Sequence, residues 1–349
     1  MKKSFAPGEI YFIKEIDPSS KSGRSKWVKI GLVANDRKSL ERLGEHQTGN
    51  PRRLDLEPTE LVKTELVSIV ETQIHRKLSH LRVRGEWFEL ASESDLAAAI
   101  SVANDLARDA AVAVKVFAKA QQLTNTTSTD KSIDETPETR ALAVKYEISR
   151  LEKLRIKSLR QNITSKFAVA AQAGVAVDEV YKEKIVSYNP VFNPELLKGE
   201  DAALYWKYAR VVDGTKWSHP FNVKAKPGDN ENIDVMYPDY ASEIKQIEHT
   251  ISITTDPNAA LELADAEAAL LRWEGYWMWE HELAKAELQV ATGTAKAITG
   301  VCTWVRESKA ISKEVFDSTS FLLDLPEEYA KYVEKPAGYK RRKVTPTKK

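Results

Sequence analysis

The run TNTTSTDKSIDETPET at 124–139 offers a folding chain almost nothing to bury. A stretch this polar gains too little from desolvation to offset the entropy of ordering it, so it reads as a flexible linker over 124–140. It predicts that the chain divides there into two independently stable pieces with a protease-sensitive joint. A length of 349 residues agrees, being too long for one ordinary core. A hydrophobic content of 42% with 30% charged residues is that of a water-soluble globular protein.

Upstream of that run, GEIYFIKEI (8–16) alternates and is rich in β-formers, DPSSKSGRS (17–25) is a turn cluster, and WVKIGLV (27–33) is a second strand. Together they predict a hairpin. DRKSLERLGEHQ (36–47) has helical spacing with Asp36 as N-cap, and TGNP (48–51) ends it. A strand follows around Leu54–Lys63, then a helix from about Glu65 to His80, and GEWFEL (85–90) closes the unit as a short strand. The reading is α+β: a three-stranded sheet with flanking helices over 1–92. A long Ala-rich helix at 94–122, capped by Ser92 or Ser94, makes 93–123 a connector.

Downstream, VFNPELLKGEDAALYWKY (191–208) and VFDSTSFLLDLPEEYAKY (315–332) align without gaps. Each follows a helical stretch, a small-residue turn (AAQAG, AKAITG) and a short β-like piece. This predicts a duplicated, mainly helical region: module 1 over 141–212, an irregular connection over 213–256, and module 2 with a basic tail over 257–349. The aromatic run WEGYWMW (273–279) offers base stacking, but a helix apolar on all sides and packed on its repeat is the better reading.

Net charge is +1, so the whole molecule carries no electrostatic address. Residues 1–90 hold 17 Lys/Arg against 13 Asp/Glu, a surplus of 4, and the last twelve residues hold six Lys/Arg and no acid. A basic end of that kind can add salt-dependent attraction to phosphates, and reads equally well as a solvated tail kept for solubility. With Cys302 as the sole cysteine, neither an internal disulfide nor a cysteine-built zinc site can form. No apolar segment follows Met-Lys-Lys, and none is long enough to cross a bilayer, so the expected location is the cytoplasm, away from membranes.

Phosphodiester hydrolysis needs a base for water, a cation for developing charge, and a carboxylate to hold a metal. Tyr11 and Lys29, if their strands pair, face one side of the hairpin. Arg42 and His46 lie one helical turn apart, as do Glu71 and His75. Each also has a plainer reading. Tyr11 can be a strand aromatic, Gly31 a site of close backbone approach, His75 a buttress, and Glu71 with His75 a helix pair worth only ~0.3 kcal/mol.

The ordered segments GEIYFI, VKIGLV, RLGEHQTGNP, ETQIHRKL and RGEWFEL resemble the GIY-YIG nuclease superfamily over residues 5–90. The likeness is to its phage and bacterial branch, where KIG replaces YIG and GEWF closes the domain. That resemblance implies Tyr11 as general base, Arg42 on the scissile phosphate, His46 as proton relay or phosphate contact, and Glu71 as ligand to Mg2+ or Mn2+. The second motif's tyrosine is Lys29 here, whose charge favours the phenolate and would acidify Tyr11. The segment 293–332 resembles the tail of YqaJ-like viral recombinase exonucleases and brings no catalytic residue. Glu243-Ile-Lys245 has the Glu-x-Lys form of such enzymes, but chance explains it better.

The expected function is therefore a metal-dependent DNA endonuclease in phage replication, recombination or anti-phage defence. Its C-terminal half would bind DNA, a protein partner or a second copy. The alternative is a non-catalytic DNA-binding or scaffold protein using the small domain as a platform; RNA is a further substrate class.

Overall fold

The computed structural model describes residues 6–20, 23–34, 37–48, 50–175, 181–187, 189–224, 226–228, 231–335 and 340–346. The expected hairpin is β1 (Gly8–Ile16) and β2 (Arg24–Ala34), paired antiparallel with Tyr11 opposite Gly31 and Ile13 opposite Lys29. Helix α1 (Ser39–Thr48) follows; Asp36, expected to cap it, lies outside the described residues. The single strand expected at 54–63 is two short ones, β3 (Leu54–Asp55) and β4 (Val62–Thr64), with a 3-10 turn at Pro58–Glu60 between them. Then come α2 (Val67–Lys77), β5 (Arg82–Arg84), β6 (Trp87–Glu89) and the long α3 (Glu93–Thr124). Ser92 caps α3 through a reciprocal box with Asp95. Buried Arg24 ties the hairpin to this cap by donating to Leu90 O at 2.8 Å and Ser92 O at 2.7 Å.

The sheet has six strands rather than the expected three, in the order β3-β1-β2-β6-β5 with β4 also on β1. The strand expected at 85–90 is β6; strands of two or three residues show little period in a sequence, so β5 and the break between β3 and β4 were not read there. One face of the hairpin sends Ile10, Phe12, Val28 and Ile30 into a core shared with α2 and α3. The opposite face sends Tyr11 and Ile13 toward Leu43 of α1 and Trp87.

The polar run holds more structure than a linker. Ser132–Ile133 forms β7, and α4 (Pro137–Gln172) starts on a Thr136–Thr139 capping box. Thr129 N donates to Thr294 O at 2.8 Å and Ser128 N to Arg306 O at 3.0 Å. Backbone hydrogen bonds need no apolar side chain, which is why composition misread this segment.

Beyond α4 lie β8 (Tyr181–Ser187), β9 (Val191–Phe192), α5 (Pro194–Glu200), α6 (Ala202–Tyr208), β10 (Ala209–Ser218) and β11 (Phe221–Val223). They are followed by α7 (Ile233–Met236), α8 (Pro238–Ile253) and α9 (Leu263–Thr292). The chain continues through β12 (Ala297–Ile298), β13 (Cys302–Trp304), β14 (Glu307–Phe316), α10 (Ser318–Asp324), α11 (Pro326–Lys331), β15 (Val333–Glu334) and β16 (Lys340–Pro346). The segment 213–256 is thus not irregular throughout, and β7 pairs in parallel with β12.

The two repeat copies pack on each other about a pseudo-two-fold axis. Phe192 stacks on Tyr329 at 4.4 Å, and the equivalent Phe316 stacks on Tyr205 at 5.2 Å. Asn193 N donates to Tyr332 O and Asp317 N to Tyr208 O, while Val333 opposite Phe192 mirrors Ala209 opposite Phe316. The ribbon β10–β14 runs out from this core, with Ala209 and Phe316 at its base, and a second ribbon, β8–β16, lies against α4; the basic tail's residues 340–346 form the strand β16.

The aromatic run of α9 packs against α4, as the repeat predicted, with Trp273, Tyr276 and Trp277 sharing a core with Ile156 and Phe167. Unexpectedly, α9 also lies on the N-terminal unit. Trp279 joins the α2–α3 core with its ring 5.7 Å from Phe117, and Arg76 of α2 stacks on Tyr276 at 4.5 Å. A Cβ added at Gly275 would meet the Thr72 methyl at 3.1 Å, so the glycine sets how closely α9 approaches α2.

Candidate active site

The β1–β2 register puts Tyr11, Ile13, Lys29 and Gly31 on one face. Tyr11 lies over Gly31 so closely that a Cβ there would overlap its hydroxyl, Cζ and Cε2. Close approach is therefore what this glycine supplies. Helix α1 covers the same face. It brings His46 Nε2 to 3.3 Å from the Tyr11 hydroxyl, with the Arg42 guanidinium beside the phenol. Arg42 also donates to Glu45 Oε2 at 2.6 Å, which fixes its head on the helix surface.

Tyr11 is only 1% exposed, and burial pushes its pKa up to about 12, helped by the negative charge of Glu86 and opposed by Arg42. His46 is pushed below its usual range, first by burial and then by Lys29 and Arg42, so its imidazole is neutral at neutral pH. Lys29, expected to acidify the phenol, instead donates to Glu86 Oε2 at 2.5 Å. The cation acting on Tyr11 is Arg42. Glu86 thus absorbs the lysine's charge and itself disfavours the phenolate.

Glu71 projects from α2 toward the same cluster and has no hydrogen-bond partner among the described residues. Burial pushes its pKa up to about 8, with Glu86 adding to the rise and Lys29, Arg82 and Arg42 offsetting it. His75, one turn on, is a strut. Its Nε2 donates to Ile30 O at 2.9 Å, its ring lies 5.2 Å from Phe88, and burial pushes it down to about 4. It clamps α2 to β2 and so sets where Glu71 points.

Two residues escaped the sequence reading. Glu86 and Arg82 flank the tight β5–β6 turn at Gly85, whose φ of 57° suits glycine. Arg82 lies 5.2 Å from the Phe88 ring with Nε and Nη2 buried and without partners, and burial together with Arg272 of α9 pushes it down to about 10. The strand expected at 85–90 begins only at Trp87, and neither the turn at Gly85 nor the proximity of these two residues to Glu71 was read in the sequence. An open groove of about 650 Å³ borders the site, edged by Trp27, Trp87, Lys29, His46 and Arg84. Rings and cations so placed suit bases and phosphates.

Glu71 would suit a divalent cation: a half-buried carboxylate without a hydrogen-bond donor, near the charge of Glu86, gains from a positive charge. Among the described residues no group of three or more His, Cys, Asp or Glu is placed to hold a metal. A divalent cation held here would have to keep most of its waters, as Mg2+ does with one or two carboxylates. Glu243 and Lys245 have plain structural partners: Glu243 accepts from Trp273 Nε1, and Lys245 pairs with Asp234, both at 2.8 Å.

Comparison with known proteins finds the T5orf172 domain at residues 8–106. This nuclease-associated domain belongs to the GIY-YIG/homing-endonuclease-like superfamily. No curated protein and no solved structure matches the chain. The matched region contains Tyr11, Lys29, Arg42, His46, Glu71, Arg82 and Glu86, and it implies a nuclease-like or DNA-binding role for this unit. No helix among the described residues is long and apolar enough to cross a membrane.

Proposed function

We propose that the N-terminal unit hydrolyses DNA phosphodiester bonds with a divalent cation, Mg2+ or Mn2+, held by Glu71. The observation that supports this best is the contact between the buried Tyr11 hydroxyl and a neutral His46. A phenol with a pKa near 12 is almost never ionised at neutral pH, so Tyr11 works as a relay. As water attacks phosphorus in line, its proton passes to the Tyr11 oxygen while the phenolic proton moves to His46 Nε2; the opposite P–O3′ bond breaks with its electron pair, and the 3′-oxygen leaves and takes a proton from solvent. Arg42 lies beside the phenol and meets the charge developing on the phosphate, with Arg82 as a second, unpartnered cation nearby. The bound cation supplies further charge stabilisation at the phosphate. The resemblance to GIY-YIG nucleases implies 5′-phosphate and 3′-hydroxyl ends. A setting in phage replication, recombination or anti-phage defence fits the matched domain. The likeness of 293–332 to exonuclease tails rests on sequence alone and assigns no chemistry.

A relay has a signature. Tyr11→Phe and His46→Gln each lower the cleavage rate by about 10²–10⁴-fold, and the double variant is no worse than the poorer single one. Plasmid cleavage with Mg2+ or Mn2+ measures this. Multiplying defects would show two separate roles. Undiminished DNA binding with no cleavage by the native chain would make the unit a binding platform.

A further inference from the structure

We propose that the ribbon β10–β14 is a DNA-contacting arm whose cationic face enters the major groove of the duplex. Its strands pair residue for residue from Ala209 opposite Phe316 to Ser218 opposite Glu307. Paired residues share a face, and faces alternate. One face therefore carries Arg210, Lys216, Lys309 and Lys313, with Glu307 at its far end, and the other carries Asp213 and Glu314. Every cation of the ribbon falls on the same side.

The two faces have different partners. Glu314 accepts from the Tyr205 hydroxyl and pairs with Lys198 of α5, and Asp213 accepts from Ser312. On the cationic face, among the described residues, only Lys309 lies within ion-pair distance of an acid, Glu307 at 3.1 Å, while Arg210 acts on Asp317 at longer range. Lys216 stands directly opposite Lys309, and the single carboxylate of Glu307 offsets only part of the repulsion between the two lysines. Residues 210–216 and 307–315 are all exposed, and a two-stranded ribbon with both faces in water is marginal by itself. The arrangement calls for an anionic occupant.

Duplex DNA fits on three counts. Ten residues of strand span ~33 Å, close to one turn of the double helix. A two-stranded ribbon is of a size the B-form major groove admits. Phosphates supply the missing countercharge. Choosing DNA over another polyanion rests on the reading of the N-terminal unit as acting on DNA.

The test uses the full chain carrying Glu71→Gln, so that DNA is bound and not cut, with a short duplex and the matching single strand. Lys216→Ser, Lys309→Ser and Lys313→Ser together should weaken duplex binding by about tenfold or more and reduce the salt slope by ~2–3. Single-strand binding should change less, and Asp213→Asn on the other face should cost nothing. Circular dichroism and thermal unfolding verify that the triple variant is folded. Unchanged duplex affinity and slope in a folded triple variant would overturn the arm, as would equal losses on duplex and single strand, or no DNA binding by the parent chain. The two readings fail separately. Plasmid cleavage by the native chain with an unaltered slope in the variant removes the arm alone, while a reduced slope without cleavage at any divalent cation removes the catalytic reading alone.

Discussion

β1–β2 and β10–β14 are both long antiparallel pairs, and they differ in what covers them. The first is covered on both faces, by α2 and α3 on one side and α1 on the other. The second is exposed along nearly its whole length. Burial shifts the acid–base behaviour of Tyr11, Glu71 and His75 around the first pair. The ribbon's cations sit in water, available to a polyanion and unsuited to proton transfer. The same backbone pattern serves chemistry where desolvated and contact where solvated.

The sharpest way to break that contrast is at Glu71. Glu71→Gln should abolish metal-dependent cleavage, a loss of at least ~10³-fold, while DNA binding stays near normal. Stability gives an independent readout. The folded-state pKa of about 8 lies above the ordinary 4.5, so the group's contribution is fully present below 4.5 and is lost as pH rises through 8. In EDTA the native chain should therefore lose Tm between pH 5 and pH 9 more steeply than Glu71→Gln. Mg2+ or Mn2+ should restore Tm at high pH only where Glu71 is present. Parallel pH–Tm curves for the two proteins would show that Glu71 does not titrate as the desolvated carboxylate described.

The next largest effect tests whether the two halves are separable. Trp279 of α9 is buried in the core of α2 and α3, and removing such a ring costs ~3–5 kcal/mol. Trp279→Ala should lower the Tm of the whole chain in one cooperative transition, and the fragment 1–123, which lacks α9, should aggregate or melt early. Two well-separated transitions, with only the later one unaffected by the substitution, would restore the picture of independent pieces that the polar run suggested.

Much of the fold was legible where a period repeats. The alternation of 8–16 and 27–33 gave the hairpin, the choice of Ser92 or Ser94 bracketed the start of α3, and the 191–208/315–332 alignment pointed to two copies that pack together. What escaped was structure held by backbone alone: β5, the break between β3 and β4, β7, and the pairing of β10 with β14, a ribbon whose doubly exposed faces leave no apolar alternation to read. For the site, helical spacing placed Arg42 with His46 and Glu71 with His75. The identity of Lys29's partner is a tertiary fact, since Glu86 reaches it only after β6 pairs with β2.

A smaller effect should follow at Gly31. Gly31→Ala drives a methyl into the Tyr11 ring and hydroxyl, an overpacking cost of ~1–3 kcal/mol that also displaces the relay from His46. Cleavage should fall more than stability does. Tyr11→Phe/Gly31→Ala should show no further loss of rate beyond Tyr11→Phe, because both act through the same hydroxyl. An additive loss would mean that the glycine serves the substrate path and not the tyrosine.

The smallest effect decides how Lys29 acts. If it acidified the phenol directly, Lys29→Met would shift the pH–rate profile upward whatever stands at position 86. The geometry gives another route: Lys29 neutralises Glu86, whose charge raises the pKa of both Tyr11 and Glu71. Removing the lysine leaves that carboxylate unopposed, so the profile should still move upward, by up to about one unit, with a rate loss of about tenfold or less. The double variant Lys29→Met/Glu86→Gln separates the routes. An indirect role predicts that removing the carboxylate returns the profile to its native position, whereas a direct one leaves the double variant as shifted as Lys29→Met. Measured with Glu86→Gln alone as reference, a profile displaced downward in that single variant and native in the double would show that the site's proton balance is set across the β2–β6 pair.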